Sequence, residues 1–152
     1  MSDKPICPIC RQEIDLPDNQ LAKTIASEPW IKVFEAEGLI CIIIRNVLMN
    51  YCGYVVIPNN HPLYGKPQEE IEDLLEVHGG ITHVGSLSWA PNLFLIGFDC
   101  GHAHDIVPAM MKYSPAYIET HQGAVYRDIN YVEQEVRKLA KQINDVRRYQ
   151  MR

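Results

Sequence analysis

Gly38-Leu39-Ile40-Cys41-Ile42-Ile43-Ile44-Arg45, followed five residues later by Tyr51-Cys52-Gly53-Tyr54-Val55-Val56-Ile57, is the stretch on which the fold turns. The first run is continuously apolar and rich in β-branched side chains. That composition suits a strand buried on both faces, where polar alternation has no use. The second run is a strand candidate of similar length, and joining the two through residues 46–50 predicts a β-hairpin.

Toward the C-terminus, Pro58-Asn59-Asn60-His61-Pro62 and Gly65-Lys66-Pro67 form a turn-rich loop. Residues 68–77 predict a short amphipathic helix with Ile71, Leu74 and Leu75 on one face. Residues 81–87 and 93–98 read as two further strands, joined by a connection that contains Trp89 and Pro91. Residues 101–126 are irregular, with a turn or two of helix over Pro108-Ala109-Met110-Met111-Lys112-Tyr113. Asp128 is placed to cap a last helix that runs to about Arg147. In it Val132, Val136, Leu139, Ile143 and Val146 recur at spacings of four and three, a stripe expected to pack across the sheet. Toward the N-terminus, residues 18–28 predict a short helix capped by Asp18, with Leu21, Ala22 and Ile25 apolar and Pro29 ending it. The class expected is α+β, with a mainly antiparallel sheet packed by a long C-terminal helix and one or two shorter ones. Residues 1–152 are read as one domain, with 1–15 a Cys-x-x-Cys knuckle or an arm.

A hydrophobic share of 47% is ordinary for a globular chain, and no apolar run approaches the roughly 20 residues that cross a bilayer. Met1-Ser2-Asp3-Lys4-Pro5 carries no basic start followed by an apolar stretch, so a cytoplasmic protein is expected. A net charge of -5 disfavours a general nucleic-acid binder, which needs a basic face to neutralise phosphates. The basic residues Arg137, Lys138, Lys141, Arg147, Arg148 and Arg152 read as the solvated face and end of the last helix. Five cysteines, an odd number without an export signal, point to thiols or metal ligands rather than a disulfide framework.

Cys7 and Cys10 have the spacing of half a zinc knuckle. Completing it takes two more ligands, from a histidine such as His121 or from the same pair in a second subunit; the pair otherwise stands as a redox couple or as uncommitted thiols. Cys41 and Cys52 read as buried thiols, and His61 and His121 as surface loop residues.

The chemistry-bearing residues crowd into two segments at strand ends. In His78-Gly79-Gly80-Ile81-Thr82-His83, two glycines permit positive φ and close approach of a ligand to exposed N–H groups, with His78 and Thr82 beside them. In Gly97-Phe98-Asp99-Cys100-Gly101-His102, Asp99 emerges from an apolar strand and is placed to orient His102 as a proton acceptor or donor. Cys100 is a nucleophile if an imidazolium lowers its pKa, and a small core residue otherwise. Arg127, in Tyr126-Arg127, offers a guanidinium to a phosphate or carboxylate, or a surface ion pair with the helix acids.

Gly53-Tyr54-Val55, His61-Pro62-Leu63-Tyr64-Gly65-Lys66, His78-Gly79-Gly80 with Thr82, Gly97-Phe98-Asp99-Cys100 with His102, and Tyr126-Arg127 carry a resemblance over about residues 38–147. They are similar to a family of small uncharacterised proteins of tailed phages and bacteria. The resemblance implies an intracellular and phage-borne context, host cytoplasm included, and brings no activity. Its pattern often has glycine at the place of His104, which favours Asp99, His102 and Asp105 as the centre of the site.

The leading expectation is a binder of a small anionic, nucleotide-like ligand, held by His78, Gly79, Gly80, Thr82, Asp99, His102, Asp105 and Arg127. In a phage setting it would sequester such a ligand. The alternative is a hydrolase with His102 as base, Asp99 orienting it, and Cys100 or water as nucleophile. A zinc-stabilised interaction module on Cys7 and Cys10 is the third reading. A homo-oligomer is compatible with each.

Overall fold

A computed structural model describes residues 20–114 and 116–150. The Cys7/Cys10 segment and Asp18 lie outside the described residues. The elements run α1 (Gln20–Ser27), β1 (Ile31–Ala36), β2 (Leu39–Arg45), β3 (Tyr51–Ile57), α2 (Gln68–Ile71), β4 (His83–Leu87), β5 (Ala90–Asp99), α3 (Met110–Tyr113), α4 (Tyr117–Thr120) and α5 (Ile129–Gln150). The class is α+β. One five-stranded sheet of order β1-β2-β3-β5-β4 is antiparallel at every pairing.

The hairpin forms as its sequence predicts, with Ile43 opposite Gly53. Its loop is held by Asn46, whose Oδ1 accepts the N–H groups of Leu48 (3.0 Å) and Asn50 (3.1 Å). The price of that tight loop is Met49 in the left-handed region at φ 68, a conformation kept because its side chain is fully buried with Ile25, Met111 and Tyr117.

The five apolar residues of the α5 stripe face the sheet. Val132, Val136, Leu139 and Ile143 are inaccessible, and Val146 packs at the margin. Opposite them stand Cys41, Ile43, Tyr51, Val55, Ile96 and Phe98, while Leu63, Ile71, Leu75, Val77 and Ile81 close the same layer. Asp128 Oδ1 accepts the Tyr131 N–H at 2.8 Å, the capping bond its position predicts. Gly53 lets the helix come close: a Cβ there would lie 2.4 Å from Val136 Cγ2 and 2.7 Å from the Phe98 ring. A smaller apolar cluster of Ile42, Cys52, Tyr54, Ala90 and Leu95 occupies the other sheet face.

Three expectations are corrected and one strand is added. The helix over 68–77 is a single turn, Gln68–Ile71, because so short a helix has little intrinsic stability. The chain turns after it, burying Leu75 and Val77 and leaving Leu74 exposed. The 93–98 strand extends over 90–99, since Leu87 pairs with Ala90 and the connection shrinks to Ser88 and Trp89. Ile31–Ala36 adds an edge strand. His61 is buried, 4% exposed.

His61 is built into the core by both ring nitrogens. Nδ1 accepts the Leu63 N–H at 3.0 Å, so Nε2 carries the proton and donates to the Ile143 carbonyl at 3.0 Å. Burial lowers its pKa below the ordinary 6.5, against the smaller opposing pull of the Ile143 carbonyl and with help from Arg147. As pH falls, the unfolded chain takes up this proton before the folded one. Stability from the neutral ring is therefore complete above 6.5 and is lost as pH falls through the lowered folded value. A His61→Gln variant should flatten the decline of the urea midpoint between about pH 7 and 5; an unchanged decline would remove His61 as its source.

Candidate functional site

The site is built where β5 ends. Asp99 Oδ1 accepts the Gly101 N–H at 2.9 Å, which turns the chain out of the sheet. The next residues fold back, with the Asp105 N–H on the His102 carbonyl at 2.9 Å. Residues 104–106 then run beside Val125, which donates to His104 O (2.8 Å) while its own carbonyl accepts from Ile106 (2.9 Å). This pairing brings Arg127 to Asp105. Asn50 ties the hairpin loop to the same turn by donating to the Cys100 carbonyl at 2.8 Å.

Asp105 is the hub. Its side chain is 1% exposed and accepts three bonds: His78 Nε2 on Oδ2 (2.8 Å), the His102 main-chain N–H on Oδ2 (3.0 Å), and Arg127 Nε on Oδ1 (2.9 Å). Burial by itself would raise its pKa. The three hydrogen bonds and the neighbouring charge outweigh burial and hold the carboxyl below its ordinary 3.8. A carboxylate at Nε2 fixes neutral His78 as the Nε2–H tautomer, so Nδ1 accepts from the Tyr131 hydroxyl at 2.8 Å. The Arg127 guanidinium lies 4.8 Å over the Tyr131 ring, and Glu135 Oε1 is 3.4 Å from the same hydroxyl.

The two sequence segments meet here. The His78 and His102 rings are 5.7 Å apart. His102 Nε2 lies 3.5 Å from Asp99 Oδ1, is covered from solvent, and has no hydrogen-bond partner among the described residues. What covers it is Gly79, where a Cβ would fall 2.1 Å from Nε2. Gly79 and Gly80 both have positive φ, 67 and 82. Gly79→Ala should therefore cost about 1–3 kcal/mol and displace the His102 ring. Gly80→Ala, with nothing within 4 Å, carries only its backbone strain, about 1 kcal/mol. Denaturation midpoints and the His102 imidazole NMR signals check the pair; equal midpoints and an unmoved His102 would remove the contact.

Of the residues expected in the site, His78, Gly79, Asp99, His102, Asp105 and Arg127 come together, with Gly80 exposed beside them. Thr82 is exposed at the start of the sheet, its N–H donating to the Gly97 carbonyl at 3.0 Å. Cys100 is 2% exposed and packs in the core. Burial pushes its thiol far above the ordinary 9.0, the Asp105, Cys52 and Asp99 charges adding and Arg127 opposing. Of its two expected readings the structure matches the small core residue, since burial disfavours the thiolate that a nucleophile needs. Among the described residues no group of three or more His, Cys, Asp or Glu side chains is arranged to hold a metal ion, and no helix is long and apolar enough to cross a membrane.

The sequence reading missed Tyr131 and Glu135. Their signal was spacing: Tyr131 and Glu135 are one turn apart on α5, and Arg127 lies four residues before Tyr131, just outside the helix. Comparison with protein-family models, curated proteins and solved structures returns no match.

Proposed function

We propose that the rim formed by Gly79, Gly80, His102 and Arg127 binds a small anionic, nucleotide-like ligand. The observation that carries this reading is the meeting of the two loops over buried Asp105. His102 packs on Gly79, the Gly79-Gly80 turn is exposed with the Gly80 N–H donating back to the Val77 carbonyl at 2.8 Å, and Arg127 keeps a fifth of its side chain accessible after its Nε is engaged. Asp105 and Arg127 neutralise one another and Asp99 adds a negative charge beside His102, so it takes protons on both His78 and His102 to make the rim positive. Asp99, a third exposed beside His102, would accept a hydroxyl of the same ligand. Sequestration of such a ligand in a phage-infected host cytoplasm belongs to the same proposal and rests on the family resemblance.

The test is mass spectrometry of small molecules released by heat from purified protein, joined to thermal shifts with nucleoside mono-, di- and triphosphates. The expected result is a recovered anion or a stabilising shift that His102→Ala weakens at least about tenfold, the loss of one charge-assisted hydrogen bond. The absence of both a released anion and a shift would end the proposal.

The 3.5 Å approach of Asp99 to His102 favours one second reading: hydrolysis with His102 as base and a water nucleophile. Ligand recovered chemically unchanged after incubation would dismiss it. Zinc on Cys7 and Cys10 is a separate proposal, decided by metal analysis of the native chain against Cys7→Ser.

A further inference from the structure

His78 has a hydrogen-bond partner on each ring nitrogen, and the two partners differ in kind. Asp105 only accepts, whereas the Tyr131 hydroxyl donates or accepts. That hydroxyl has one proton and two acceptors within reach, His78 Nδ1 at 2.8 Å and Glu135 Oε1 at 3.4 Å. With His78 neutral, Nδ1 takes the hydroxyl proton. With His78 protonated, Nδ1–H donates to the Tyr131 oxygen, and the hydroxyl turns to Glu135. Both states leave every polar atom of His78 satisfied, so the ring changes charge without orphaning a buried donor. Burial, with Glu135 beside it, raises the Tyr131 phenol, so the hydroxyl keeps its own proton in either state.

The groups around His78 come from three parts of the fold. Asp105 and Arg127 lie in the loops, Tyr131 and Glu135 on α5, and His102 at 5.7 Å just beyond β5, with Asp99, the last residue of that strand, beside it. Buried Cys100 stays a neutral thiol near Asp105, and Lys138 reaches Glu135 at 3.6 Å. The covered Nε2 of His102, by contrast, has no hydrogen-bond partner among the described residues and lies 3.5 Å from Asp99. His78 precedes the exposed glycines directly, so negative charge placed on them favours the charged ring.

We infer that anion binding at this rim takes up one proton, held on His78, and that the Tyr131 hydroxyl switches from His78 to Glu135 as it does so. The inference rests on the binding reading above and adds its regulation: linkage requires that affinity fall as pH rises, up to about tenfold per unit.

Sulfate is the probe, since it does not titrate in the working range. NMR titrations at several pH values give its affinity, and the His78 ring nitrogens are followed in the same samples. The slope of one decade per unit should persist in His102→Gln and vanish in His78→Gln, whose amide keeps the donor to Asp105 and the acceptor for Tyr131 in their neutral arrangement. In the native protein, sulfate should move His78 toward two N–H signals. Binding with no pH slope, or a slope that survives His78→Gln, overturns the inference while leaving the binding site standing. A His78 that changes tautomer with pH in a protein with no affinity for sulfate overturns the anion site and the coupling together.

Discussion

Arg45→Ala should cost about 3–5 kcal/mol of folding free energy, a large share of the roughly 5–15 kcal/mol that holds a domain of this size. Arg45 ends β2 with its side chain wholly inaccessible. Its Nη1 donates to the Met49 carbonyl (2.8 Å), its Nη2 to the Ile25 carbonyl (3.2 Å) and the Tyr126 hydroxyl (3.0 Å), and its guanidinium lies 4.0 Å over the Tyr51 ring. Glu28 Oε1 is 3.6 Å away and accepts from Tyr126 at 2.6 Å; its other oxygen accepts the Ile129 N–H, the first of α5, at 2.6 Å. One cation thus joins α1, the hairpin loop and the start of α5. Truncation leaves Glu28 uncompensated, two carbonyls without their donor, and a void under Tyr51. Arg45→Met fills the void but not the charge, so it should recover only part of the loss. Combining Arg45→Met with Glu28→Gln should recover more, because the buried anion goes too. Urea denaturation of the native protein, Arg45→Met, Glu28→Gln and the double variant measures the coupling; strict additivity would show that Arg45 and Glu28 act independently.

That network also marks where the sequence stops being legible. Strands β2 and β3 were readable because burial on both faces leaves an unbroken apolar run, and α5 because its single buried face repeats with the helix. Arg45 closes the strand run in the sequence, and nothing local says that α1 and the hairpin loop will supply acceptors for it. Strand β1 escaped notice as an edge strand. Lys32 and Glu35 interrupt its apolar residues, and its Lys32 pairs with Glu133 of α5, a partner a hundred residues away. His61 shows the same blindness in reverse: its loop sequence is polar, yet the Ile143 carbonyl gives it a buried acceptor. At the site, Asp99, His102 and His78 stood out by residue type and position. Asp105 was placed at the centre with Asp99 and His102, but its three donors were not legible, because they come from segments 27, 22 and 3 residues away.

Asp105→Ala is the second substitution expected to act strongly, again by about 3–5 kcal/mol, because it leaves the Arg127 charge, one His78 nitrogen and the His102 N–H without a buried acceptor. Asp105→Asn is the more informative change. It keeps the shape but places an amide donor against either Arg127 or the His78–His102 pair. If the amide faces His78, Nε2 must become an acceptor, the ring proton moves to Nδ1, and the Tyr131 hydroxyl is driven to Glu135 without any change of pH. His78 in Asp105→Asn should then show the Nδ1–H tautomer by NMR; an Nε2–H ring would mean that the amide faces Arg127 instead. Acid sensitivity separates the charge from the packing. Because the folded Asp105 carboxyl sits below the unfolded 3.8, its contribution is complete above that value and is lost as pH falls through the folded one. Native protein should therefore lose stability steeply below about pH 4, and Asp105→Asn, already without the charge, should lose much less over the same range. Parallel acid limbs in the two proteins would place the acid-labile group elsewhere and leave Asp105 a hydrogen-bond acceptor whose charge contributes little.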